Sequence, residues 1–198
     1  MKKVNLITLL SVLIICVFVV ISCTENQQES SEDNPITDLN LEDIIKHGEY
    51  LVKIMGCNDC HSPKKMGADG PEIITELMLS GFPSDRPIFE FKDTLIKNGF
   101  TMFYPDLTAA AGPWGISFAG NLTPDETGIG NWSEEQFIKA FTQGKFKGLD
   151  NSRMLLPPMP VENYKNMKNE DVVAIFNYLK SIKPVSNIVP SPISPNEM

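Results

Sequence analysis

Cys57-Asn58-Asp59-Cys60-His61 decides how this chain is read. Two thiols three positions apart, followed at once by an imidazole, form C-x-x-C-H, the pattern of covalent haem attachment. Two such thiols reach the two vinyl groups on one side of a haem, and the next residue delivers its ring to the iron. A match arises by chance in about one chain in a thousand of this length. Three other chemistries use similar residues. A Cys57–Cys60 disulfide leaves His61 unexplained. A thiol redox pair calls for a βαβ setting, and none is visible. A zinc site needs four ligands, and past the leader the chain offers only Cys57, Cys60, His61 and His47.

Upstream of the motif, residues 40–55 carry Leu41, Ile44, Ile45, Gly48, Leu51, Val52 and Met55 at helical spacing. Asn40 is the expected N-cap, with Asp43 three residues on, and Gly56 is the stop. Downstream, residues 63–131 read as mostly loop. Short helices are expected over 71–79, with Pro71 in the first turn, and within 88–98. Ser133 with Gln136 predicts a capped helix ending at Gly144. Prolines keep 155–160 out of helix and central strand. A last helix is expected over 169–182, with Val172, Ile175, Phe176, Leu179 and Ile182 as its apolar stripe. Pro184 ends it, and the Pro-rich tail 185–198 is expected to fray.

The N-terminus reads as an export leader over 1–22. Lys2 and Lys3 precede an apolar run over 6–21, then Val20-Ile21-Ser22-Cys23 and a polar, acidic stretch. The ending resembles a bacterial lipobox, which makes Cys23 the expected lipidated first mature residue. A retained membrane helix is the alternative, because the run approaches spanning length. Either way the remainder is expected outside the cytoplasm, tethered to a membrane. Residues 23–38 have almost no large apolar side chains and read as a flexible tether ahead of a folded domain over 39–184.

The 198 residues carry 17 Lys and Arg against 25 Asp and Glu, a formal charge of −8. That balance argues against nucleic acid as a partner. It is compatible with a basic docking partner, although an acidic solvated surface is a common reason for such charge.

A second axial ligand must come from elsewhere. Among nine methionines, Met159 stands between Pro158 and Pro160, whose fixed backbones limit its freedom in the unfolded chain. A thioether there favours the reduced iron. Met154 is the next choice, and His47 is the only candidate for a second imidazole. Met159 also fits the plainer role of gap filler in an apolar loop.

Taken together, the chain resembles the class I, all-helical cytochrome c family. It looks most like the single-haem modules of the cytochrome c subunits that serve membrane-bound bacterial dehydrogenases. The matching text covers residues 41–190. It comprises Gly48-Glu49-Tyr50-Leu51-Val52, Gly56-Cys57 to His61-Ser62-Pro63, Gly120-Asn121-Leu122-Thr123-Pro124-Asp125, Thr127-Gly128-Ile129-Gly130-Asn131-Trp132-Ser133, Leu156-Pro157-Pro158-Met159-Pro160 and Tyr178-Leu179-Lys180. The resemblance implies an all-α, cytochrome c-like fold around one covalently bound haem c. It implies Met159 as sixth ligand, and Gly48 of the first helix against Tyr178 or Phe176 of the last. Residues 121–132 would line the haem edge, Trp132 and Arg153 would be propionate donors, with a plain surface charge the equal alternative for Arg153, and a proline carbonyl, that of Pro71, would accept the His61 N–H. It departs from the family at Lys168, where a Thr cap is usual, which moves the expected cap to Asn169. The stretch 64–120 is also longer than in minimal members.

The function so implied is one-electron transfer between redox protein partners, by a carrier or by the electron-transfer subunit of a dehydrogenase complex. It is not an enzyme by itself, and no catalytic side chains are expected. A haem enzyme of peroxidase type, or a gas sensor, is the alternative. Either needs a labile sixth position.

Overall fold

The computed structural model describes residues 40–88, 91 and 93–198. The expected leader 1–22, Cys23 and the tether 23–38 lie outside the described residues. Helix α1 spans Leu41–Ile54, and the Asn40 side chain accepts from the Asp43 amide at 3.0 Å, as the sequence implies. Its inner face of Gly48, Leu51 and Val52 crosses the last helix, α6, Asn169–Ser181. Gly48 makes that crossing possible. A Cβ there would lie 1.9 Å from the Ala174 carbonyl oxygen and 2.9 Å from the Tyr178 Cβ, so the two backbones touch. Of the two aromatics expected at this point, Tyr178 is the one in contact.

Between these helices run α2, Cys57–His61; α3, Asp93–Lys97; α4, Glu134–Gln143; and α5, Val161–Tyr164. Ser133 and Gln136 form both bonds of the capping box at the start of α4, and Gly144 closes it at φ 67°. Phe137 and Phe141 of α4 enter the core built by α1 and α6, with the Phe137 and Phe176 rings 5.2 Å apart. The cap of α6 is Lys168, not Asn169. Its side chain makes no capping bond, but its carbonyl accepts from Asp171 and Val172. Glu170 and Asp171 complement the helix dipole there.

The expectation of an all-α fold is overturned. Among the described residues five short strands form two antiparallel sheets, so the fold is mixed. Strand β1, Lys64–Met66, pairs with β2, Pro71–Ile73. The second sheet runs β3-β4-β5, from Met102–Phe103, Ala109–Gly112 and Gly115–Phe118. The helix expected over 71–79 is instead β2 followed by a single 3-10 turn, Thr75–Leu77. These strands are too short to show period-two alternation, and Ala-Ala-Ala-Gly has little β propensity. Their pairing is held by packing. Ala109 lies against Phe82 and Tyr104, whose rings meet edge to face at 5.3 Å, and Ala111 lies against Ile96.

Beside this small core, the Arg86 Nη1 donates to Asp106 Oδ2 at 2.5 Å and to Thr108 Oγ1 at 3.1 Å. Thr108 donates its amide and hydroxyl to Asp106 Oδ1. Burial pushes the Asp106 carboxyl up, but the bonds from Arg86 and Thr108 outweigh it and hold the group below its ordinary value.

The tail does not fray. Asn187 is buried and donates to the carbonyls of Ser80 (2.7 Å) and Phe82 (2.9 Å), while accepting from the Ser84 amide. Ile193 exchanges both backbone bonds with Ile116. A polar, Pro-rich segment stays down because it satisfies buried backbone groups of residues 80–116, which no local pattern displays.

Two outcomes follow. Gly48→Ala forces the α1–α6 crossing apart and costs at least about 2 kcal/mol, read as a lowered Tm. Asp106→Asn costs about 2 kcal/mol at pH 7 by leaving the half-buried Arg86 without its carboxylate. A depressed carboxylate contributes its stability above its unfolded pKa, near 4, and loses it as pH falls through the folded value. Thermal melts from pH 7 to 3 therefore fall less steeply below about pH 4 in the variant than in the parent protein.

Candidate functional site

Gly56, at φ 69°, ends α1 and turns the chain straight into α2. Residues i, i+3 and i+4 of one helical turn share a face. The five-residue helix thus puts Cys57, Cys60 and His61 on one side. Its far end is anchored from below. Ser62 is fully buried, donates its hydroxyl to Asn58 Oδ1 (2.8 Å) and accepts from the Leu79 amide (2.9 Å).

The same seam positions a carbonyl. The Gly81 amide donates to His61 O, Phe82 to Ala119 O, and Leu122 to Leu79 O, which lays 79–82 against 119–122. Gly81 is required for this approach, since a Cβ would lie 2.4 Å from the Ala119 oxygen. The Gly120 carbonyl is thereby brought 2.8 Å from His61 Nδ1. The expected partner, Pro71, is instead an exposed residue of β2. A backbone acceptor 59 residues away leaves no mark in the sequence.

A carbonyl only accepts, so Nδ1 carries the proton and Nε2 keeps its lone pair. Burial lowers the His61 pKa, with the Gly120 bond opposing it, and the ring is neutral at pH 7. A ring nitrogen donating to a carbonyl, with the other nitrogen free, is how a metal-binding histidine is oriented. Cys57 and Cys60 are free thiols. Burial pushes Cys57 up to about 11 and raises Cys60, against the pull of Lys64. A C-x-x-C oxidoreductase needs the opposite, a depressed thiol. Among the described residues no group of three or more His, Cys, Asp or Glu converges as a metal site. His47 is half exposed on α1, with Nε2 2.7 Å from Asp171 Oδ1. The residues present therefore fit a covalently held haem better than zinc or dithiol chemistry: two protonated thiols and one unprotonated imidazole nitrogen on one face.

Cys57 packs on the rim of the main core, and Met159 packs on that same core with Trp132 and Leu122. The Met159 segment is pinned by the Ser117 hydroxyl, which donates to Pro157 O at 2.6 Å. Met55, Met78 and Met167 also reach this core. Met154 does not; it is 51% exposed and its backbone bridges to Lys145. Arg153 stacks over the Phe146 ring at 4.1 Å and donates to Met154 O. Tyr164 was not anticipated. It stacks on Phe141 at 4.6 Å, and its hydroxyl is pushed up by burial and, in the alkaline range where the thiols ionise, by Cys57 and Cys60. Its only sequence signal is an aromatic five residues past Met159.

No family model matches the chain. It is 37% identical over 150 residues to the fructose dehydrogenase cytochrome subunit of Gluconobacter japonicus, covering 75% of this chain and 23% of that protein. It is 28% identical over 158 residues to the gluconate 2-dehydrogenase cytochrome c subunit of Pantoea cypripedii, covering 76% and 27%. The cytochrome c subunit of the quinone-dependent alcohol dehydrogenase of Gluconobacter oxydans is 26% identical over 147 residues, covering 73% and 23%. The chain is cytochrome c-like. It spans about a quarter of the length of these three relatives.

Asn121 holds the segment that presents the Gly120 carbonyl. Its Nδ2 donates to Val185 O (2.8 Å) and Thr127 Oγ1 (3.1 Å), and its Oδ1 accepts from the Thr123 amide (2.9 Å) and hydroxyl (2.8 Å). Asn121→Ala orphans these buried groups. It costs about 2 kcal/mol and exposes the tail beyond 184 to limited proteolysis at a protease dose that leaves the parent protein intact.

Proposed function

We propose that the chain carries one haem c on Cys57, Cys60 and His61 and passes electrons singly between redox protein partners. It does so as an exported carrier or as the electron-transfer subunit of a dehydrogenase complex. The observation that carries this reading is the His61 Nδ1–H···O bond to Gly120, on the same helical turn as two protonated thiols. Cys57 and Cys60 would hold the group by thioethers. His61 Nε2 and the Met159 sulfur would fill the two axial positions, and with both filled the chain needs no acid, base or nucleophile of its own. Bound haem supplies the one-electron couple. The protein's part is to fix the imidazole tautomer and to surround the site with apolar side chains.

Met159 is the favoured thioether because its segment is fixed at Pro157 by Ser117 and packs on the core that receives Cys57. Among the described residues no helix is long and apolar enough to cross a membrane. Membrane attachment in this reading falls to the leader 1–22 and a lipid on Cys23, with the domain on the periplasmic or cell-envelope side. The names of the three relatives support a dehydrogenase as the partner.

Acid-acetone extraction of the purified protein is expected to leave the pigment on the polypeptide, and Cys57→Ala with Cys60→Ala to release it. Met159→Ala is expected to turn the protein high-spin, abolish the weak thioether-to-iron absorption band and lower the midpoint potential. An unchanged spectrum would reassign the ligand to Met55, Met78 or Met167. Ready carbon monoxide binding by the reduced parent protein would favour the gas-binding or peroxidase alternative.

A further inference from the structure

Lys64 follows the attachment helix by three residues and turns back onto it. Its Nζ lies 2.6 Å from the Asp59 carbonyl oxygen, 2.9 Å from that of Asp106, 3.2 Å from that of Ser62 and 3.4 Å from that of Asn58. An ammonium has three protons to share among these four acceptors. Asn58 and Asp59 belong to α2, and the Ser62 carbonyl lies just beyond its end. The Asn58 carbonyl already accepts from the Ser62 amide, whereas those of Asp59 and Ser62 belong to the end that a helix leaves without internal partners and that carries its negative dipole. The fourth carbonyl, of Asp106, belongs to the segment between β3 and β4. One side chain thus ties the turn bearing Cys57, Cys60 and His61 to the strand-bearing insertion.

Among the described residues the Lys64 ammonium is held by carbonyls and by no carboxylate. Asp106 gives its carboxylate Oδ2 to Arg86 at 2.5 Å and Oδ1 to Thr108, and that carboxylate reaches Lys64 only at the backbone amide, 3.4 Å away. Asp59 contacts Lys64 through its carbonyl, its side chain lying exposed. Arg86 stands on this side paired with the Asp106 carboxylate. Lys64 is itself half-buried, so solvent screens it only in part. Its field already reaches Cys60, whose thiol it draws down against burial and against the smaller opposing charge of Asp59.

We propose that Lys64 is a positioning residue that fixes the haem-attachment turn on the insertion and, by its charge, raises the reduction potential of the group held there. This rests on the haem reading above. A fixed positive charge beside a one-electron centre favours the form with one positive charge fewer, which is the reduced form. Dipolar capping by neutral groups would hold the turn without that bias. The insertion would then have a purpose: it supplies the Asp106 carbonyl and, through Arg86, keeps the Asp106 carboxylate from neutralising the ammonium.

The test is spectroelectrochemical titration of the full-length holoprotein, comparing the parent with Lys64→Gln, Lys64→Met and Lys64→Arg. Lys64→Gln and Lys64→Met are expected to lower the reduced-to-oxidised ratio at a fixed applied potential by about threefold to tenfold, tenfold being 59 mV for one electron. Lys64→Arg is expected to restore the parent midpoint. Failure of both neutral variants to accumulate as folded holoprotein, with recovery in Lys64→Arg, also supports the assignment. A neutral variant that folds, keeps its haem and titrates at the parent midpoint overturns it, as does an arginine variant that behaves like the neutral ones. A parent protein with no covalent pigment overturns the haem reading itself, which separates the two failures.

Discussion

The bond from His61 Nδ1 to the Gly120 carbonyl closes a span of 59 residues. Without it the imidazole has no fixed tautomer, and either nitrogen could carry the proton. With it, Nε2 is left as a lone pair on the face shared with Cys57 and Cys60. A closure of that length has an entropic cost that one hydrogen bond does not offset. The span has to fold on itself, and the rest of the domain follows from that requirement.

Residues 62–119 meet it by building a small body of their own. Phe82, Tyr104 and Ala109 form one cluster, and Ile96, Ala111 and Ile116 a second, separate from the core of α1, α4 and α6. The join between the two bodies is polar and backbone-rich. Ser62 receives the Leu79 amide, Gly81 donates to His61 O, Lys64 gathers the carbonyls of Asp59 and Asp106, and Asn187 binds Ser80 and Phe82 from the tail. Directional bonds suit this place, because they specify the position of one carbonyl more tightly than apolar contact does. On the other side, apolar packing suffices. Gly48 lets α1 and α6 touch, and α2 is carried directly from the end of α1 by Gly56.

Much of this was legible in the chain itself. Asn40, Gly56, the Ser133–Gln136 box, Gly144 and the stripe of the last helix are local signals, acting within a turn or two, and each appears where expected. Local signals failed where the controlling partner is remote. Ala109-Ala110-Ala111-Gly112 becomes a strand because Phe82, Tyr104 and Ile96 cover it, and the tail is ordered because Asn187 has buried carbonyls to bind. Lys168 caps α6 with its backbone alone, so residue type gave no clue there.

The sequence by itself determined the chemistry on offer. Two thiols and an imidazole within five residues share a face in any helical turn, a consequence of 3.6 residues per turn that no tertiary contact alters. It also determined the helical frame, through caps, glycines and apolar period. Only the tertiary structure decided which carbonyl accepts the His61 N–H bond, that Tyr164 lies near enough to the cysteines to feel their charge, and that Lys64 brings its ammonium to the attachment turn. Those depend on which distant backbone groups come within about 3 Å of one another, and that is set by the packing of the whole domain rather than by any neighbourhood of the chain.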